Sequence, residues 1–354
     1  MNKNYLFIFV LLSIIAFSNC DRVKNPIKNE NNDYTGIQYK NELLMNPENI
    51  SDRITIDRQG NVWFLTVVKD TSVYVPSESS YLPTITKICM YDYQNYYIMY
   101  DNIKSSINEL IFDNDENIWL FNSKKLIKID KNHNYSDVLT LGDHDGLFQT
   151  FAVDHDNNVW IGGLGTGLYK YSNGNLITFN TENSILPTNS MTKIYIDNQN
   201  IVWVALWDLE GILKIENDTW KIYNCNNSTI TQDNIWEIKV DNNQRVWIGT
   251  GWVNPDISLM MFDGLNWIEN NPKDLSGNHI SGTVRHIETD LNGRLWTISE
   301  KVENLDLVNT ILNVYNGESW ENIDNVAKGN IITDIEHFDN KLVLATCNQI
   351  YTIE

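Results

Sequence analysis

One short phrase recurs along this chain, and it constrains the fold more tightly than any other feature. An apolar residue and an Asp lead through a polar turn to an apolar–Trp–apolar strand, as in Val153-Asp154 followed by Val159-Trp160-Ile161. The same phrase stands at Ile56-Asp57 with Val62-Trp63-Phe64, at Phe112-Asp113 with Ile118-Trp119-Leu120, and at Ile196-Asp197 with Val202-Trp203-Val204. It returns at Val240-Asp241 with Val246-Trp247-Ile248 and at Thr289-Asp290 with Leu295-Trp296-Thr297. In all six copies the Trp follows the Asp by six residues. A seventh copy, Phe338-Asp339 with Leu342-Val343-Leu344, has a tighter turn and no Trp. A unit repeated at a fixed period is one supersecondary element that buries its apolar faces against its neighbours.

Each unit reads as four strands. The first alternates apolar residues (Ile54 and Ile56, Ile194 and Ile196), and the second carries the Trp. Three residues after the Asp stand Gly60, Asn157, Asn200 and Gly293, which tolerate the positive φ of a tight turn; Glu116 and Gln244 fit less well. Third strands such as Gly167-Leu168-Tyr169-Lys170-Tyr171 and fourth strands such as Trp220-Lys221-Ile222-Tyr223-Asn224 complete the units. The last unit runs out at Ile350-Tyr351-Thr352-Ile353, one strand short. The missing strand is expected at the other end, at Gly36-Ile37-Gln38-Tyr39-Lys40-Asn41. Such closure removes two open sheet edges. The expected fold is therefore all-β, a seven-bladed β-propeller with an N-terminal strand closing the last blade. Residues 69–86, with Pro76, Pro83 and several Ser, are expected to be an insertion in the first blade.

The N-terminus departs from this pattern. Lys3 precedes an apolar run over residues 5–17, which ends in Ser18-Asn19-Cys20. That is a secretory signal in form and too short for a spanning helix. Its Cys resembles the lipidated residue of bacterial lipoproteins. The expected organisation is a signal peptide at 1–19, lipid on Cys20, a flexible Asn-rich tether at 20–33 and a propeller at 34–354, in the bacterial envelope outside the cytoplasm. Cys89, Cys225 and Cys347 lie in different repeats without metal-ligand spacing, so buried thiols are expected. A formal net charge of -20 excludes nucleic acid as a partner and disfavours charge-driven docking on anionic lipid. The membrane is expected to be reached through the lipid alone, by a monomer.

The repeats resemble the two-component regulator propeller family. Its motif, apolar-x-Asp-x-x-Gly-x-apolar-Trp-apolar-Gly-Thr and then Gly-Leu, is matched by residues 240–250 and by 153–163 with Gly167-Leu168. The resemblance implies an extracytoplasmic, ligand-binding propeller, without the kinase or DNA-binding segments of that family's regulators. Asp57-Arg58-Gln59-Gly60-Asn61-Val62-Trp63-Phe64 is similar to the blades of virginiamycin B lyase-like propellers. That second resemblance implies a magnesium-dependent enzyme using His and Glu from inner strands. The nearest feature is His286-Ile287-Glu288, whose side chains at i and i+2 share one side of a strand.

The Asp and Trp of the repeat are expected to be structural, as turn cap and blade packing. Candidate binding residues lie at the opposite ends of the strands. Four residues before each Asp the chain reads Arg53, Glu109, Thr150, Lys193, Glu237 and His286, with Asp334 in the last copy. This polar column is expected to line the mouth of a central channel. Trp207, Trp236 and Trp252 fall on the same side, where flat aromatic faces suit sugar rings or other amphipathic ligands. No GxSxG, HExxH, P-loop or dinucleotide turn is present, so binding of a glycan, a small molecule or an envelope protein without turnover or cofactor is the first expectation. A Mg²⁺-dependent lyase or hydrolase using His286 and Glu288 is the alternative.

Overall fold

The computed structural model describes residues 41–45, 50–69, 84–103, 107–142, 145–232, 234–250, 256–274, 276–280, 282–303, 306–323, 326, 330–346 and 349–353. The repeat phrase becomes a sheet each time. The described strands form seven antiparallel sheets of four, which makes the chain an all-β, seven-bladed β-propeller. Blade 4 is typical, with strands Met191–Ile196, Val202–Leu206, Ile212–Glu216 and Thr219–Tyr223 running from inner to outer. The Trp-bearing strands of blades 2, 4 and 5 are buried along their whole length, since both of their faces meet neighbouring sheets. Uninterrupted apolar runs such as Val202 to Leu206 follow from that position.

The six-residue spacing from Asp to Trp has a direct cause. In each of the six copies one Asp oxygen accepts the indole N–H, from 2.7 Å at Trp63 to 3.0 Å at Trp160. The other oxygen accepts backbone N–H groups two and four residues on, as Asp197 does from Gln199 and Ile201, both at 2.9 Å. The carboxylate thus closes the turn and fixes the Trp ring at once. The residue three after the Asp has φ between +62° and +88° in all six turns, Glu116 and Gln244 included. In blades 2 to 6 a cation covers the ring, from one of two sources. Lys128, Lys170 and Lys214 reach it from the third strand, whereas Arg245 and Arg294 reach it from the turn.

Contacts divide the chain into two compact units. One lies within residues 1–108, 300–310 and 325–354 and contains blades 1 and 7. The other spans 109–299 and 311–324, which covers blades 2 to 5 and most of blade 6. In the first unit, Asn41–Met45 pairs antiparallel with Ile350–Ile353 (Asn41 opposite Ile353, Leu43 opposite Tyr351) and completes blade 7. The described part of the closing strand is thus Asn41–Met45, against the expected 36–41. The two share Asn41, and residues 36–40 lie outside the described residues, as do Cys20 and the whole of 1–40. The insertion is also shorter than expected. Val67, Val68 and Lys69 pair with Thr86, Ile85 and Thr84, so the hairpin continues and only 70–83 separate its strands. Blades 1 and 7 share a core of Ile54, Phe64 and Cys89 against Val343, Ala345 and Ile350.

In the second unit the core lies between successive blades. Trp160 and Leu168 of blade 3 pack with Met191, Ile194 and Val204 of blade 4, and Trp203 of blade 4 packs with Ile238 and Ile248 of blade 5. The Gly two residues after the Trp follows from this closeness. A Cβ on Gly249 would lie 2.2 Å from the Val284 carbonyl oxygen of the next blade. The Asp turns of blades 2 to 5 are also stitched side by side. Asn114 donates its N–H to Asn157 Oδ1, His155 donates to Asn200 Oδ1, and the Gln244 amide donates to Asn198. Asn at the positive-φ position of blades 3 and 4 serves both the turn and this belt.

Candidate functional site on blades 4 to 6

The inner strands meet the far side of the sheets, away from the Asp turns, through a recurring irregularity. The register with the second strand shifts between Ile50 and Ile54, Phe148 and Thr150, Met191 and Lys193, and Ile332 and Asp334. A bulge re-aims side chains at a strand end, and here it turns the polar column toward the next blade. Thr150 Oγ1 accepts the N–H of Ile194 at 2.8 Å. Asp334 Oδ2 accepts the N–H of Ile54 at 2.9 Å in the first unit. Both side chains are buried. At these two positions the column holds blades together.

In the second unit the column becomes ionic. Lys193 Nζ lies 2.9 Å from Glu237 Oε2 across blades 4 and 5. Two residues further along the strands, Lys239 Nζ lies 2.6 Å from Glu288 Oε2 across blades 5 and 6 and 5.7 Å from the Tyr195 ring centroid. Burial pushes the Tyr195 phenol above its ordinary value, with Lys239 pulling the other way. Each Glu also accepts a backbone N–H with its second oxygen, Glu237 from Ile238 and Glu288 from Thr289. These carboxylates are neutralised and hydrogen-bonded, as buried charges must be.

Aromatic side chains gather beside this ladder. Trp207 follows the second strand of blade 4, and Trp236 precedes the inner strand Glu237–Val240 of blade 5. Their rings meet edge to face, with centroids 5.6 Å apart at 87°. The Arg285 guanidinium, from the inner strand Thr283–Thr289 of blade 6, lies 4.2 Å from the Trp236 ring centroid. All three side chains are half-buried. Three successive blades thus contribute one aromatic–cationic cluster. A flat apolar surface bordered by charged donors can hold the face of a ring while hydrogen-bonding its rim.

The sequence expectations divide accordingly. Lys193 with Glu237, and Trp207 with Trp236, are brought together in pairs. Arg53, on the inner strand of blade 1, and Glu109, which opens that of blade 2, are each half-buried. His286 is buried on blade 6. Trp252 lies outside the described residues. Sequence reasoning missed Arg285, Lys239 and Tyr195. Arg285 immediately precedes His286 just as Trp236 immediately precedes Glu237, so the column one residue earlier carried the signal.

The donors around His286 and Glu288 decide whether Mg²⁺ could be held there. A hard cation needs several oxygen ligands, yet Glu288 is engaged by Lys239 and the neighbouring strand offers that ammonium in place of a second carboxylate. Among the described residues no group of three or more His, Cys, Asp or Glu is placed to hold a metal ion. His286 and Glu288 do not fit a Mg²⁺ site.

Fold and site together define a β-propeller whose polar and aromatic groups collect at one end of consecutive blades. Among solved structures the chain is similar to virginiamycin B lyase from Staphylococcus aureus, at 14% identity and a TM-score of 0.66, over 89% of this chain and 98% of that one. It is also similar to the extracellular domain of BT4673 from B. thetaiotaomicron, described as a one-component or a hybrid two-component system. That match has 17% identity and a TM-score of 0.60, over 89% of this chain and 39% of that one. A third similar structure is PorZ, a bacterial surface component of the type-IX secretion system of Porphyromonas gingivalis, at 13% identity and a TM-score of 0.56, over 87% and 46% of the two chains. Both propeller groups that the repeats resemble are thus met among structures of the same fold. No family model matches the chain. No curated protein matches it either.

Proposed function

We propose that this chain is a non-enzymatic binding propeller held outside the cytoplasm by lipid on Cys20, and that it takes a glycan on the blade 4 to 6 cluster. The observation that carries this reading is the arrangement of Trp207, Trp236 and Arg285, three half-buried groups from three blades meeting at one strand end. Their chemistry suits a pyranose, which offers an apolar C–H face and a rim of hydroxyls. The absence of turnover is supported by the state of Glu237 and Glu288, each engaged by a Lys and a backbone N–H rather than poised to move a proton. The extracytoplasmic location is supported by the residue 1–20 pattern and by the extracellular and surface proteins among the similar structures.

The test is a glycan-array screen of the chain lacking residues 1–33, run beside Trp207→Ala. Binding that Trp207→Ala abolishes, with the unfolding midpoint unchanged, supports the site. Undiminished binding by that variant would exclude it. For the anchor, Cys20→Ser should move the protein from the membrane fraction to the soluble one, and its retention on membranes would overturn the lipid assignment.

A further inference from the structure

The loop that presents Trp207 is a two-residue hairpin turn of an unusual kind. Leu206 donates its N–H to the Gly211 carbonyl at 2.9 Å, and Asp208 and Leu209 at the tip both have φ of +62°. Such turns require positive φ at both central positions, which is why Asn-Gly is the favoured pair. The chain uses that solution elsewhere: Asn173-Gly174 forms the turn between the third and fourth strands of blade 3, with φ of +48° and +82°. In blade 3 the loop equivalent to that of Trp207 meets its positive-φ positions with Gly165 and Gly167. Blade 4 keeps the glycine before its third strand, Gly211 with φ of +82°, but adds a leucine at a further positive-φ position, and that residue is 52% exposed. An L-residue with a branched side chain is disfavoured in the left-handed region. The same apolar side chain gains nothing from a core. Two local costs therefore fall on one residue, two positions after Trp207. Strain of this sort persists where the conformation serves a site.

From this we infer that Leu209 is a specificity-determining contact of the blade 4 site, forming an apolar lip beside Trp207 against which the ligand's ring rests. The inference rests on the reading of that site as a glycan-binding surface. A rigid lip next to an aromatic platform discriminates by shape. A ring whose C–H face continues past Trp207 gains contact with Leu209, whereas an axial hydroxyl at that edge meets an apolar side chain and loses its water. Asp208 and Glu210 flank the lip and leave hydrogen-bond acceptors at its edges.

Leu209→Gly separates strain from contact, because glycine takes the same φ without steric cost. The probe is an array of neutral gluco-, galacto-, manno- and xylo-oligosaccharides. Expected for Leu209→Gly are a melting temperature raised by about 2 °C, about tenfold weaker binding of the preferred oligosaccharide, and a flatter ranking of the sugars. Asp218→Gly, in the exposed Asn217-Asp218 turn with φ of +46° and +62°, relieves similar strain away from the site and should leave binding unchanged. Leu209→Gly that binds with unaltered affinity and ranking overturns the inference, as does a fall in its melting temperature, which would make Leu209 a packing residue. Trp207→Ala that binds normally, or an unaltered protein that binds no oligosaccharide on the array, removes the underlying site as well.

Discussion

The Asp of the repeat holds three or more donors with two oxygens, and that concentration makes it the most sensitive residue in each Trp-bearing blade. Asp197→Ala should release the indole of Trp203 and the backbone N–H groups of Gln199 and Ile201, of which the indole and Ile201 are buried. At about 1–3 kcal/mol for each buried group left unsatisfied, the cost is expected near 3 kcal/mol, read as a lower urea midpoint. Trp203→Phe removes one donor and part of a packed ring, and about 2 kcal/mol is expected. The turn offers the opposite result at Gln244. Its φ is +63°, so Gln244→Gly should remove backbone strain. It also removes the amide bond to Asn198. The net gain is expected to be below about 1 kcal/mol, whereas Gln244→Val should lose stability by thermal melting.

At the level of strands, the inner strands carry what the chain could not announce. The Asp-to-Trp count was legible because it depends on positions within one hairpin. The role of the polar column was not, because it depends on a bulge and on the neighbouring blade. Thr150 and Asp334 read as members of a channel lining, and in the fold they accept backbone N–H groups from the next inner strand. Arg285 stood in a readable column, one residue before the polar one, but its place over Trp236 depends on the neighbouring blade. Lys239→Met tests the ionic ladder. It leaves Glu288, which is buried, without its cation, and a loss of roughly 3 kcal/mol is expected. Adding Glu288→Gln should restore most of the loss, and a double-mutant cycle in urea measures the coupling. Near-zero coupling would mean that the pair contributes nothing to holding blades 5 and 6.

For the molecule as a whole, alkaline pH should be the weak side. Burial raises the Cys89 thiol above its ordinary 9.0 and the Tyr195 phenol above its ordinary 10.0. Both groups keep their protons longer in the folded chain than in the unfolded one. Their contribution to stability is therefore complete below about pH 9 and declines as the pH rises through the unfolded and then the folded values. Urea midpoints at pH 8, 9.5 and 10.5 should fall in that order, and Cys89→Ala should flatten the first part of the decline. The blade count and the four-strand unit were readable throughout because seven copies repeat them. The closing strand is harder to read, since a single strand at a chain end has no copy to set its register, and its described part, Asn41–Met45, overlaps the expected stretch at Asn41.

That strand has a consequence for how the protein is made. Leu43 pairs with Tyr351, so this early segment must wait until residue 351 has been synthesised before its partner exists. Contacts so distant in sequence carry a large loop-closure cost and form slowly. Until then the last sheet keeps a bare edge, and a nascent or truncated chain can lend that edge to another molecule. A cell that stalls late in translation would accumulate copies prone to exchanging strands with one another.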